Sequence, residues 1–114
     1  MTIAPIQMFA PTQLSTAALT LYTFSSGSGA AVMTHGRIEF VNNGVSATTV
    51  TAYDIPSGGS ATATNEFCPA ATIAAGATLT VDVPVIALGG TIQALSPAGT
   101  LVVAHSLDGL TYTP

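Results

Sequence analysis

The sequence predicts an all-β protein, a single antiparallel β-sandwich of seven or eight short strands with an extended N-terminal arm. Thr, Val, Ala and Ile dominate the chain. Clusters of Gly, Pro, Asn and Ser interrupt them at intervals of about 8–12 residues, which is typical of sandwiches and barrels. No stretch shows a convincing apolar period of helical type. The connections are too short for the crossovers that parallel strands need, so antiparallel pairing is expected.

Side-chain alternation places the individual strands. Residues 31–42 alternate most clearly. Ile38 and Phe40 are predicted to face the core, and Arg37 and Glu39 to face away from it. The predicted strands lie at residues 14–24, 31–42, 46–55, 61–67, 77–83, 91–95 and 100–107, and the one at 61–67 is a weak strand at a sheet edge.

Turn residues separate these strands. NNG at 42–44 predicts a tight turn with a positive φ available, and Asp108-Gly109 predicts a turn that closes the chain. The Ala-rich stretch CPAATIAAGA is a helix candidate, but Pro69 and Gly76 keep it short.

The length of 114 residues fits one domain. We expect the β-sandwich domain to comprise residues 14–114 and the extended N-terminal arm to comprise residues 1–13. The arm carries apolar residues among prolines, with no partner strand in view. Three interpretations stay open: it packs along its own sandwich, it lies on a neighbouring subunit, or it is disordered.

Charge is scarce in this chain. Only 5% of the residues are charged, whereas about a quarter is typical. Such a surface must consist of small polar residues or be covered by partners, and we expect assembly. Arg37 is the only lysine or arginine, so no nucleic-acid partner is expected, because neutralising phosphates needs several cations. No stretch approaches the roughly 20 apolar residues of a membrane-spanning helix, and no membrane partner is expected.

The segment LGGTIQALSPAGTLVVAHS, residues 88–106, contains the residues that most resemble a site. A phosphate-binding loop needs a helix after its glycines, but Gly89 and Gly90 precede the strand formers TIQAL. These glycines are therefore interpreted as a sharp turn into a strand. His105 and Ser106 are neighbours in a predicted strand, so they point to opposite faces and do not form a base and a nucleophile.

The remaining chemistry-bearing residues are scattered. The five acidic residues stand singly along the chain, which offers no calcium loop and no clustered metal ligands. Cys68, before Pro69, is interpreted as a small buried hydrophobic residue. We therefore expect no metal, no cofactor and no enzymatic activity.

Two longer stretches carry a resemblance. In residues 19–55, an LYT strand leads through a loop to a strand ending in VNNG, and a Thr/Val-rich strand follows. In residues 73–109, IAAGATL is followed by the connector ALGGTIQA and the strand VVAHSLDG. The order and spacing of these motifs resemble those of small bacteriophage virion structural proteins of the capsid decoration or cement type. The chain departs from that pattern at LGGTI, where an acidic residue is usual, and at HSLDG, where a plain Ser-Gly is common.

The resemblance implies a jelly-roll-like β-sandwich without catalytic residues. We expect a decoration or cement protein, made in the host cytoplasm, that binds the outside of a phage head as a small homo-oligomer, a trimer, and stabilises it. Its partners would be the major capsid protein or another virion protein. The alternative is a tail, collar or fibre module, with a host glycan as a candidate ligand. The residues predicted to contact a partner are Ile3, Ile6, Met8, Phe9 and His105.

Overall fold

A computed structural model of the chain describes residues 2–25 and 32–113, apart from the side chains of residues 32–34. Ten strands lie in the described residues: β1 (Thr2–Pro5), β2 (Thr12–Gln13), β3 (Leu19–Thr23), β4 (Val32–Asn42), β5 (Thr48–Ile55), β6 (Glu66–Ile73), β7 (Thr78–Val83), β8 (Ile86–Ala87), β9 (Thr91–Leu95) and β10 (Val102–Thr113). Two short 3-10 turns, Ala63–Asn65 and Gly99–Leu101, precede β6 and β10. In these residues, no helix is long and apolar enough to cross a membrane.

The strands form two antiparallel sheets. The six-stranded sheet has the order β1-β10-β4-β7, with β2 also paired to β10 and β8 to β4. The four-stranded sheet has the order β3-β9-β5-β6. The sandwich class and the antiparallel pairing are as the sequence predicts. The strand count exceeds the predicted seven or eight because β1, in the segment predicted as an arm, and the two-residue strands β2 and β8 are additional.

The strand order is that of a jelly roll. Counting β1 and β2 as one strand and leaving the short β8 aside gives eight strands. The first then pairs with the last (β1 with β10), the second with the seventh (β3 with β9), the third with the sixth (β4 with β7) and the fourth with the fifth (β5 with β6). This nested pairing is the double-sheet jelly roll.

The core lies between the inner faces of the two sheets. Ile38 and Phe40 of β4 are fully buried there, as their alternation predicts. Their neighbour Arg37 is exposed on the opposite face. The four-stranded sheet supplies Val50 of β5 and Ile92 of β9, both with no exposed area. One apolar cluster therefore joins both sheets.

Two strands differ from their predicted positions. The edge strand predicted at 61–67 lies at Glu66–Ile73, because Pro69 is accommodated in a bulge instead of ending the strand. Ala70 in this bulge has a φ of 36°, and its N–H donates to Thr51 Oγ1 at 3.2 Å. In β3, a bulge between Thr20 and Tyr22 shifts the alternation.

The closing turn predicted at Asp108-Gly109 is wrong. β10 continues through both residues to Thr113, and a register shift between Ser106 and Asp108 absorbs one extra residue. Gly109 is buried, and a Cβ there would lie 3.1 Å from Ile6 Cγ1 and from Met8 Cγ. The glycine therefore provides room for the N-terminal segment and does not reverse the chain.

Asn42 joins the β4–β5 loop to the β6–β7 connection at one end of the sandwich. It is fully buried at the end of β4. Its Nδ2 donates to the carbonyl oxygens of Ser46 at 2.9 Å and Ile73 at 3.1 Å, and its Oδ1 accepts from the N–H of Gly44 at 2.9 Å. None of residues 42–44 has the positive φ that the turn prediction allowed. The turn is set by this buried amide instead.

We predict that Asn42→Ala lowers the free energy of unfolding by on the order of 3 kcal/mol, because it leaves buried carbonyl and N–H groups without partners. Urea unfolding followed by circular dichroism measures this loss. Asn43→Ala is the matched control, since the Asn43 side chain is exposed. An equal loss in both variants would contradict this role for Asn42.

The pair Gly89-Gly90 closes the opposite end. Gly89 has a φ of 83°, and its N–H donates to Phe24 O at 2.8 Å, while Phe24 N donates to Gly90 O at 2.9 Å. A Cβ on Gly89 would lie 2.6 Å from Ser57 Oγ. The turn into β9 predicted from these glycines is confirmed, and it also lets the β5–β6 loop approach closely.

We predict that Gly89→Ala destabilises the protein by roughly 2–4 kcal/mol, combining a left-handed backbone penalty with overpacking. Gly76→Ala should cost only about 1 kcal/mol, because it has the same backbone penalty without a clash. Gly76 has a φ of 70° and nothing within 4 Å of its Cβ position. Thermal unfolding of both variants, and of the double variant Gly89→Ala with Ser57→Gly, separates the backbone penalty from the clash with Ser57. Failure of the second substitution to restore stability would contradict the clash.

Candidate functional site

The N-terminal segment lies on its own sandwich. β1 pairs with the end of β10, so that Ile3 lies opposite Tyr112. Residues 12–13 pair with its beginning, opposite Val103 and Ala104. As far as it is described, the segment predicted as an arm thus contributes two strands to the six-stranded sheet. A contact with a neighbouring subunit stays a prediction.

Two of the predicted contact residues seal the edge of the chain's own core. Ile6 N donates to Gly109 O at 2.7 Å, and Met8 N donates to Ser106 Oγ at 3.0 Å. Met8 is only 6% exposed, and Ile6 packs against the core. Met8 is thus covered by its own chain in this structure, and its contact with a partner stays a prediction.

The other three predicted contact residues keep exposed area. Ile3 is 56% exposed on the edge strand β1. Phe9 is half-buried and packs against the core. His105 is half-buried in β10, opposite Glu39 of β4. Ile3 is therefore the most accessible of the five.

His105 and Ser106 diverge, as the sequence predicts. Ala104 and Ser106 share the inner side of β10, where Ala104 is fully buried and Ser106 Oγ accepts the hydrogen bond from Met8. His105 points to the outer face, on which Glu39 also lies. The two side chains cannot act together on one substrate atom.

A charged cluster lies on the outer face of the six-stranded sheet. Arg37 Nε and Nη2 donate to Asp108 Oδ2 at 2.9 and 2.7 Å. His35 Nε2 lies 3.5 Å from Asp108 Oδ1, an atom that is buried and has no hydrogen-bond partner among the described residues. The hydrogen bonds from Arg37 hold the pKa of the Asp108 carboxyl below its usual value. The chain's one arginine is therefore occupied internally.

The other candidate groups are Cys68 and the scattered metal-ligand residues. Cys68 is buried, and burial raises the pKa of its thiol. A thiol is a poor nucleophile in this state, because the thiolate is the reactive form. Across residues 2–25 and 32–113, no group of three or more His, Cys, Asp or Glu side chains could hold a metal ion.

Exposed apolar side chains concentrate at the two ends and along the edge of the sandwich. Among the side chains that the structure describes, six large ones are 44–98% exposed: Ile3, Val45, Val85, Leu88, Leu101 and Leu107. Val45 and Leu101 line a groove of about 280 Å³ at the end that Asn42 organises. Val85 and Leu88 line a groove of about 430 Å³ at the end that Gly89-Gly90 closes. These surfaces favour contact with other molecules.

The second groove, hereafter the Asp54 groove, contains a carboxylate that sequence reasoning missed. It lies between residues 54–57, at the end of β5, and residues 85–88 and 90, before β9. Burial raises the pKa of Asp54. The run VIAL after Pro84 was a signal, because apolar residues between two strands are unusual in a loop. Nothing in the sequence brought Asp54 next to it.

The chain was compared with protein families, curated proteins and solved structures. No protein-family model and no curated protein matches the sequence. A solved structure of infectious bursal disease virus, Gx strain, is similar to this chain with a TM-score of 0.40 and 15% sequence identity. The alignment covers 96% of this chain and 29% of that chain. The jelly roll assigned here rests on this chain's own strand order.

We predict that Asp108→Asn removes a pH-dependent part of the stability. A carboxyl whose pKa is lowered on folding stabilises the folded state above its unfolded pKa, and this contribution is lost as pH falls through the folded value. The stability difference between wild type and Asp108→Asn should therefore be constant near neutral pH and shrink below about pH 4. Urea unfolding across pH 2–7 measures it, with Arg37→Gln as background control. If Asp108→Asn has the same pH-dependent effect on stability in the Arg37→Gln background as in wild type, the pKa of Asp108 is not lowered by Arg37.

Proposed function

We propose that this chain is a non-enzymatic structural protein of a bacteriophage virion. In this proposal it is a capsid decoration or cement protein that binds the outside of the head as a small oligomer, a homotrimer, and stabilises the shell. The observation that carries the proposal is its surface. Within the described part of the chain, six large apolar side chains are at least 44% exposed, and only 5% of all residues are charged. A surface of this kind favours a place in an assembly.

The architecture supports the same proposal. Double-sheet jelly rolls occur among viral capsid and lectin domains. The stretches that resemble phage virion proteins, residues 19–55 and 73–109, contain β3 to β5 and β7 to most of β10. The resemblance therefore spans strands of both sheets. The fold alone does not assign a function, so the proposal depends on the surface and the resemblance together.

The charge distribution supports a protein partner. Arg37, the one basic side chain besides the histidines, is bound by Asp108. A DNA-facing surface needs several free cations. The outer face of the capsid, where DNA is absent, is the location that this charge pattern fits.

Copy number in purified particles is the direct test. We expect gel densitometry to give hundreds of copies per particle, since a decoration protein repeats with the capsid lattice, and light scattering to give three times the 11.3 kDa of one chain in solution. A few to some dozens of copies would assign the tail, collar or fibre alternative. Absence from purified particles would overturn the proposal.

The exposed Ile3 provides a matched variant for this test. Ile3→Glu should leave the fold intact and reduce occupancy on the shell, because it charges an apolar contact. Thr2→Glu is the control, since Thr2 is also exposed on β1. Equal occupancy of both variants would remove β1 from the proposed interface.

A further inference from the structure

The Asp54 groove combines apolar walls with one carboxylate. Val85 is 62% and Leu88 is 44% exposed, whereas Ile55 and Ile86 are buried at 2% and 1%. Asp54 is the only ionisable residue among the described residues that line this groove. The groove therefore has an aliphatic lining with a single negatively charged side chain beside it.

The Asp54 carboxylate lacks an internal partner. Within residues 2–25 and 32–113, no side chain forms a hydrogen bond or ion pair with it. Asp54 is half-buried in the lining of the groove, and this burial raises the pKa of its carboxyl, because it removes water from the charged form. A carboxylate in this state gains stability from an incoming cation.

The shape and charge match one kind of side chain. Lysine and arginine bury their methylene stems along apolar surface and keep the charged head at a polar group. Val85 and Leu88 can contact such a stem, while Asp54 binds the head. A negatively charged or purely apolar side chain would leave the carboxylate without a partner, which is costly in a partly dehydrated site.

A lysine or arginine that fills this groove comes from another protein. The sequence contains no lysine and one arginine. That arginine is bound at 2.7 and 2.9 Å by Asp108 on the outer face of the other sheet. A second copy of this chain would have to break that pair to fill the groove, so self-association does not satisfy Asp54.

We propose that the Asp54 groove is a docking site for a lysine or arginine side chain of a different protein. The inference rests on the proposed function only for the partner's identity, which would then be a capsid or other virion protein. The site itself depends on the groove and the composition of the chain.

Small probes test the site without the partner. We expect Nα-acetyl-lysine amide or Nα-acetyl-arginine amide to shift the amide NMR signals of residues 54–57 and 85–90 in the full-length protein. The neutral analogues, Nα-acetyl-norleucine amide and Nα-acetyl-citrulline amide, have stems of matched length and should bind about tenfold more weakly. Asp54→Asn should reduce binding of the cationic probes by a similar factor. Glu66→Gln is the control, because Glu66 lies on β6 and does not line the groove.

The outcomes are separable from those of the proposed function. Two results would overturn the docking site. One is the absence of NMR shifts in the groove with cationic probes at up to about 100 mM, a concentration that would saturate a site of millimolar affinity. The other is equal binding of the probes by wild type and Asp54→Asn. Particle shells then identify the source of the cation. Shell binding that falls in Asp54→Asn and is kept in Glu66→Gln supports a virion partner. Absence of the chain from particles, with the probes still bound, would remove the virion role and leave the docking site standing.

Discussion

The pairing of β10 with β4 is the constraint on which the rest of the structure depends. These are the longest strands, of 12 and 11 residues, and they lie side by side at the centre of the six-stranded sheet. β10 receives both N-terminal strands on its other edge, and β4 receives β7 and β8. Their inner faces also supply Phe40 and Val102 to the core. Loss of this pair would therefore divide the sheet into two halves, one with β1, β2 and β10 and the other with β4, β7 and β8.

Much of the fold could be predicted because alternation is a local signal. Ile38 and Phe40 face the core as their spacing in the sequence indicates. Asp108-Gly109 misled for a physical reason: the same dipeptide favours hairpin turns, but here glycine is required by Ile6 and Met8, about a hundred residues away in sequence. Asp54 could not be found as a site residue, because its groove forms only when two distant loops meet. Side-chain alternation predicts which face of a strand a residue occupies, but it does not predict contacts between residues far apart in sequence.

The scarcity of basic residues underlies both proposals. The chain has one basic side chain besides its histidines and binds it internally, so any further acidic group that needs a cation depends on a partner. The apolar side chains at the ends of the sandwich have the same dependence, since they lack a covering surface of their own. In both proposals, a partner protein supplies the cation and the covering apolar surface that this chain lacks. Stability measured on the isolated chain would then underestimate its stability in the assembly.

The position of β1 affects how the chain folds. β1 pairs with the end of β10, with Thr2 opposite Thr113, so it has no partner until the residues between these two strands have been synthesised. Pairing between strands so far apart in sequence slows folding, because the entropy of closing the long loop is lost before the stabilising contacts form. During that interval Ile3 of β1, and Ile6 and Met8 in the segment after it, are not covered by β10. The last strand of another copy offers the same edge, so folding at high concentration should favour exchange of β1 between chains.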